Sequence, residues 1–128
     1  MNLILNLHQR DLSIVRLSPQ DGVPAWLDLA ASPLVCVTFA TNELSIVSPA
    51  NVVPRGLRSE GPWRAFEIVG PIDFGLTGVL ASVLNPLAAA GLSIFALSTY
   101  DTDWILVRSE SLAIAKSALA VHFQLREF

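Results

Sequence analysis

The spacing of apolar and polar positions is clearest in the second half of the chain. Trp63 to Val69 reads as a strand. From Leu76 the apolar residues Leu76, Val79, Leu80, Val83, Leu84 and Leu87 follow the i, i+3, i+4 spacing of an amphipathic helix. Pro86 falls in its last turn and Gly91 is placed to end it. Leu92 to Leu97 reads as a strand, and the polar turn from Ser98 to Asp103 leads into Trp104-Ile105-Leu106-Val107, continuously apolar as a central strand is. Ser109 is placed to cap a second helix in which Leu112, Ala115 and Leu119 share one face. Val121, Phe123 and Leu125 then alternate with His122, Gln124 and Arg126, which predicts a strand with one wet face.

The order strand, helix, strand, strand, helix, strand predicts an α+β, ferredoxin-like βαββαβ unit over 61–128, with strands one and three central and strand four at an edge. Residues 1–60 read as a worn copy. Leu3 to Leu7 and Leu12 to Leu17 predict a hairpin around His8 to Asp11, and Pro24 suits the first turn of a short helix over Ala25 to Ala31. Leu34 to Phe39 and Leu44 to Val47 predict two further strands, and Pro49, Pro54, Gly56, Gly61 and Pro62 punctuate the loop between the halves. Ser18-Pro19-Gln20-Asp21-Gly22 echoes the stretch from Gly70 to Gly75, and Thr41 to Val47 echoes Asp101 to Val107. Such a period of about 50 to 60 residues is that of a tandem duplication with a degenerate first copy.

Composition narrows the function classes. Hydrophobic residues make up 52% of the 128 positions and charged residues 15%, so disorder is excluded over most of the length. The net charge is −3 and Lys116 is the single lysine, so phosphate neutralisation of nucleic acid is not expected. The same balance leaves apolar surface to cover, which points to a homodimer. Met1 to Arg10 lacks a basic start and a long apolar run, and Asn85, Pro86 and Gly91 break the stretch from Phe74 to Leu97. Neither a signal peptide nor a membrane span is expected, which makes the cytoplasm the default location. Cys36 is the lone cysteine and neither His8 nor His122 has metal-ligand or triad spacing, so no metal, cofactor or catalytic residue is expected. Asp73-Phe74-Gly75 spells a kinase triplet, but the rest of that motif set is missing.

Gly70-Pro71-Ile72-Asp73-Phe74-Gly75-Leu76-Thr77-Gly78-Val79-Leu80, followed by Pro86 to Phe95 and by Ser98-Thr99-Tyr100-Asp101-Thr102-Asp103-Trp104 to Val107, closely resembles the ACT domain family. The branch it looks most like holds the aspartokinase regulatory domains, the CASTOR arginine sensors and small stand-alone bacterial ACT proteins. The resemblance covers about half the chain, and the duplicated arrangement extends it less closely to the rest. It implies a non-catalytic module that binds a small ligand, often an amino acid, between two such units and regulates an enzyme. With no catalytic domain in these 128 residues, the regulated enzyme is expected to be a separate protein. The CASTOR sensors resemble two such chains in tandem, which also points to a homodimer.

The residues themselves fit that chemistry. The loop from Asp73 to Val79 enters a helix N-terminus, where unpaired amides and the positive end of the dipole suit an α-carboxylate. Gly75 and Gly78 permit close backbone approach there. Asp103 can accept from an α-ammonium, with Glu43 as its weaker counterpart in the first copy. The expected ligand-binding set is Asp73, Phe74, Gly75, Thr77, Gly78, Val79, Thr99, Tyr100 and Asp103. The first strand–helix loop and the turn between strands two and three are expected at opposite ends of the sheet. Closing one pocket from both then needs two units side by side, or a turn folded back along its strand. Plainer roles stand beside these: Asp73 as the helix N-cap, Thr102 and Asp103 as turn residues, and the glycines as turn formers. The competing function is an ACT-fold interaction or oligomerisation module that binds no ligand.

Overall fold

A computed structural model describes residues 3–128. In chain order the elements are β1 (Ile4–Leu7), β2 (Leu12–Leu17), β3 (Cys36–Phe39), β4 (Leu44–Pro49), β5 (Ser59–Ile68), α1 (Val79–Ala89), β6 (Ile94–Ser98), β7 (Asp103–Arg108), α2 (Leu112–Ala120) and β8 (Gln124–Glu127). Single turns of 3₁₀ helix lie at Pro19–Asp21, Ala50–Val52 and Ser109–Ser111. The contacts divide the chain into two units. One joins residues 3–9 to Arg64–Phe128; the other is Arg10–Trp63. β5 runs across this division, and residues 3–9 fall with the C-terminal unit.

In the C-terminal unit the strand order is β6-β7-β5-β1-β8. Both helices pack on one sheet face. Alternate strand residues supply that face, with Leu5 and Leu7 from β1, Phe66 and Ile68 from β5, and Ile105 and Val107 from β7. The helices meet them with Val79, Val83 and Leu87 from α1 and Ala115 and Leu119 from α2, in each case at i, i+4 spacing. This is the α+β ferredoxin-like arrangement, with strands one and three (β5 and β7) inside and strand four (β8) outermost.

One strand is a guest. β1 lies antiparallel to β5, with Leu5 across from Ile68, and parallel to β8, with Leu5 across from Leu125. The hairpin expected between residues 3–7 and 12–17 therefore does not form. The residues meant to turn continue the pairing instead: the His8 amide donates to Ala65 O at 3.0 Å and the Gln9 amide to Phe128 O at 3.1 Å. Two paired edges and two buried leucines outweigh a local turn signal that has few bonds to offer.

The α1 boundary also moves. The apolar spacing starts at Leu76, but the helix starts at Val79, because Gly78 takes the left-handed conformation (φ 76°, ψ 0°) and acts as its N-cap. An L side chain is strained there although space is open, so conformation is the reason for glycine. Ser109 lies in a 3₁₀ turn, three residues before α2 begins. Val121 is 76% exposed, and the last strand starts only at Gln124.

The unit Arg10–Trp63 has the strand order β3-β4-β2-β5, with all pairs antiparallel. Val15, Leu27, Leu44 and Ile46 form its buried core. The helix expected over 25–31 is absent. Two turns stand in its place, closed by the Leu27 amide on Pro24 O at 3.2 Å and the Ala31 amide on Asp28 O at 3.1 Å. The Asp28 carboxylate accepts from the Ala30 amide at 3.0 Å, the local bond by which aspartate competes with a helix. The degenerate copy keeps strands and has no α-helix.

Candidate functional site

The loop 70–78 and the turn 98–103 meet at one end of the C-terminal sheet, within one unit. The reason is directional. β5 runs outward, α1 returns, and β6 runs outward again, so the exits of β5 and β6 lie at the same end. The expectation that they lie at opposite ends was a topological error. Backbone contacts join them directly: the Ile72 amide donates to Asp101 O at 2.7 Å. The Thr102 hydroxyl, buried, donates to Ile68 O at 2.6 Å. Gly70 is needed here for space, since a Cβ at that position would lie 2.8 Å from Asp101 O and 3.2 Å from Thr102 Cβ.

Between these segments lies a cavity of about 250 Å³. Ligand sites for drug-sized molecules run from about 300 to 1,000 Å³, so this one is scaled to a small metabolite. Of the nine residues expected from the sequence, Asp73, Phe74, Gly78, Val79, Thr99, Tyr100 and Asp103 line it. Gly75 and Thr77 sit on the same loop outside the lining. Ile72, Leu76, Leu80, Ser98, Asp101 and Thr102 complete the wall. Leu76 and Leu80 belong both to the apolar helix spacing and to the motif 70–80, but neither is in the expected binding set. Ser98, Asp101 and Thr102 stand in the turn motif 98–103, which does not by itself single them out as lining residues.

One wall is the start of α1. The Ser82 amide, which donates to Gly78 O at 3.0 Å, is the first with an acceptor inside the helix. The amides of Val79, Leu80 and Ala81 have no intrahelical acceptor, and Gly78 brings no capping side chain. Asp73 is not the N-cap. Its carboxylate accepts from the Gly75 amide at 2.7 Å, and its carbonyl accepts from the Leu76 amide at 3.0 Å, which folds the loop into a local turn. The Gly75 amide is therefore already used.

The opposite wall is the turn. The Thr99 amide donates to Thr102 O at 2.8 Å, and the Ser98 hydroxyl donates to the Asp103 carboxylate. Ser98 and Asp103 stand directly across from each other in the β6–β7 ladder. At the mouth Phe74 and Tyr100 meet edge to face, with ring centroids 5.0 Å apart, although they are 74% and 81% exposed. The lining holds three carboxylates (Asp73, Asp101 and Asp103) and no lysine, arginine or histidine. Such a site favours a ligand that brings positive charge, and the amides of α1 offer an anion one place to sit.

The other singled-out residues have structural roles. His8 Nε2 lies 2.9 Å from Glu67 Oε1, and its ring stacks on those of Trp104 and Phe128 at 5.4 and 5.8 Å. His122 is exposed. Trp63 and Trp104 are buried. Glu43 is exposed, next to the turn in which the Ala40 amide donates to its carbonyl. Among the described residues no group of three or more His, Cys, Asp or Glu side chains is arranged to hold a metal ion, and no helix is long and apolar enough to cross a membrane.

Comparison with known proteins bears on the family and the fold. Residues 58–120 match the family model of the ACT domain. The mouse (Mus musculus) cytosolic arginine sensor for mTORC1 subunit 1 is 45% identical over 51 residues, which cover 40% of this chain and 15% of the sensor. The chain thus spans only a small part of that relative's length. A crystallographically solved protein of Agrobacterium tumefaciens is 34% identical, with a TM-score of 0.91 over 100% of this chain and 95% of that one. The regulatory subunit of aspartate kinase from Thermus flavus shares the fold, with a TM-score of 0.62 at 14% identity over 91% of this chain and 95% of that one.

Proposed function

The chain belongs to the ACT domain family, and we propose that it is a non-catalytic sensor that binds a free amino acid in the cavity between 72–80 and 98–103. The observation that carries this reading is that the start of α1, where the Val79 and Leu80 amides have no intrahelical acceptor, and the turn aspartates Asp101 and Asp103 line one small cavity from opposite sides. An amino acid's carboxylate sits on the Val79 and Leu80 amides and its ammonium on Asp103, with Thr99 and Tyr100 against its side chain. Gly75 and Thr77 shape the loop rather than touch the ligand. Three carboxylates without a basic neighbour favour a basic amino acid, and arginine leads because a relative is named an arginine sensor. The bound state is read by a separate protein, an enzyme in the pattern of the aspartate kinase subunit.

A thermal-shift screen against the twenty amino acids tests this. A ligand at 100 times its Kd stabilises the native state by about 2.7 kcal/mol, a readily measured shift. No shift with any of them at millimolar concentration overturns the sensor reading. The interaction-module reading then takes its place. Phe74, Leu76 and Tyr100, all exposed on the rim of the cavity, favour it as a protein contact. We also propose that the chain forms a homodimer in the cytoplasm. Light scattering that finds only monomer at tens of micromolar refutes the dimer.

A further inference from the structure

We infer that Ser98 is a positioning residue of this cavity, an inference that rests on the amino acid reading above. Its hydroxyl holds one oxygen of Asp103 and so orients the other toward the ligand's ammonium. Ser98 ends β6 and Asp103 begins β7, as directly opposed partners in the ladder, and both line the cavity. The terminal torsion of an aspartate is broad and turns easily, so an unheld carboxylate at the mouth of a turn presents its oxygens in many directions. The Ser98 hydroxyl donates to Oδ1 and removes that freedom. Asp73 is treated the same way, with its Oδ1 occupied by the Gly75 amide at 2.7 Å.

Ser98 occupies one of the two lone-pair sites of Oδ1, so a guanidinium that takes Asp103 side-on through both oxygens must share that atom with the hydroxyl. An ammonium, a compact charge whose rotatable donors need one acceptor each, binds Oδ2 without that sharing. Asp103 therefore reads the α-ammonium, which all amino acids share, and discrimination between side chains falls to the rest of the wall.

Calorimetric titration of the parent, Ser98→Ala and Ser98→Thr with L-arginine, and in parallel with the other nineteen amino acids, tests the role. Ser98→Ala is expected to weaken the binding found for the parent by about tenfold, which corresponds to about 1.4 kcal/mol. Ser98→Thr, which keeps the hydroxyl on an exposed strand end, is expected to bind as the parent does. Both variants are expected to keep the parent's Tm without amino acid. Parent-like binding by Ser98→Ala, or equal weakening by Ser98→Thr, overturns the positioning role and leaves the sensor reading standing. A parent that binds none of the twenty overturns the sensor reading, and the role of Ser98 with it.

Discussion

Replacing Gly70 by alanine tests whether the strand–helix loop and the β6–β7 turn really close on each other. The new Cβ would stand 2.8 Å from Asp101 O, a distance that real Cβ atoms essentially never show, and 3.2 Å from Thr102 Cβ. Both neighbours are held. Asp101 O accepts from the Ile72 amide at 2.7 Å, and Thr102 is anchored to Ile68 O at 2.6 Å, so the turn cannot retreat without loosening one of these bonds. Forcing an extra methyl group into packed structure costs about 1 to 3 kcal/mol. Against this, alanine restricts the unfolded chain and stabilises by about 0.4 to 1 kcal/mol wherever the native backbone tolerates it. The steric cost is the larger at the middle of the two ranges, so the net expectation is a loss of about 1.3 kcal/mol. With an m-value of about 2 kcal/mol/M, urea unfolding should show a midpoint lowered by about 0.65 M at unchanged m. The sign decides the matter. If Gly70→Ala is as stable as the parent or more so, only the unfolded-state effect is at work, and the loop and turn are not in contact as described.

Thr102→Val keeps the shape of a buried side chain but leaves Ile68 O without its donor, and should lose about 1 to 3 kcal/mol in the same urea experiment; an unchanged midpoint refutes the anchoring role. Phe66→Ala empties a fully buried position between the sheet and both helices and should cost about 3 to 5 kcal/mol, with loss of cooperative thermal unfolding as the extreme outcome. Asp103→Asn preserves the turn and should leave Tm nearly unchanged, while amino acid affinity falls by about thirty-fold to several thousand-fold, the loss of about 2 to 5 kcal/mol expected when a desolvated ammonium loses its partner. Calorimetric titration reads that loss, and parent-like affinity would return Asp103 to a simple turn residue.

Much of the C-terminal unit was legible from neighbouring residues. The i, i+4 spacing of Val79, Val83 and Leu87 marked the face of α1 that is buried, and the apolar run 104–107 marked β7 as an inner strand. The motifs at 70–80 and 98–107 marked both walls of the cavity before their geometry was known. These features are written in sequence because a periodic face or a turn is set by residues a few positions apart.

What the tertiary structure alone decided was the competition between distant partners. His8 to Asp11 has the composition of a turn, yet β1 takes β5 on one side and β8 on the other, more than 50 residues away, because together they bury Leu5 and Leu7 completely. Asp73 looked like a helix cap, yet Gly78 ends the loop later and leaves Asp73 to brace it. Gly70 and Ser98 carry no periodic signal at all; one is fixed by the approach of Asp101, the other by the residue across the ladder. Local pattern determines which elements form and which face is apolar. Which strand lies beside which, and therefore which side chains share a cavity, depends on contacts whose partners are far apart in the chain, and no local pattern records them.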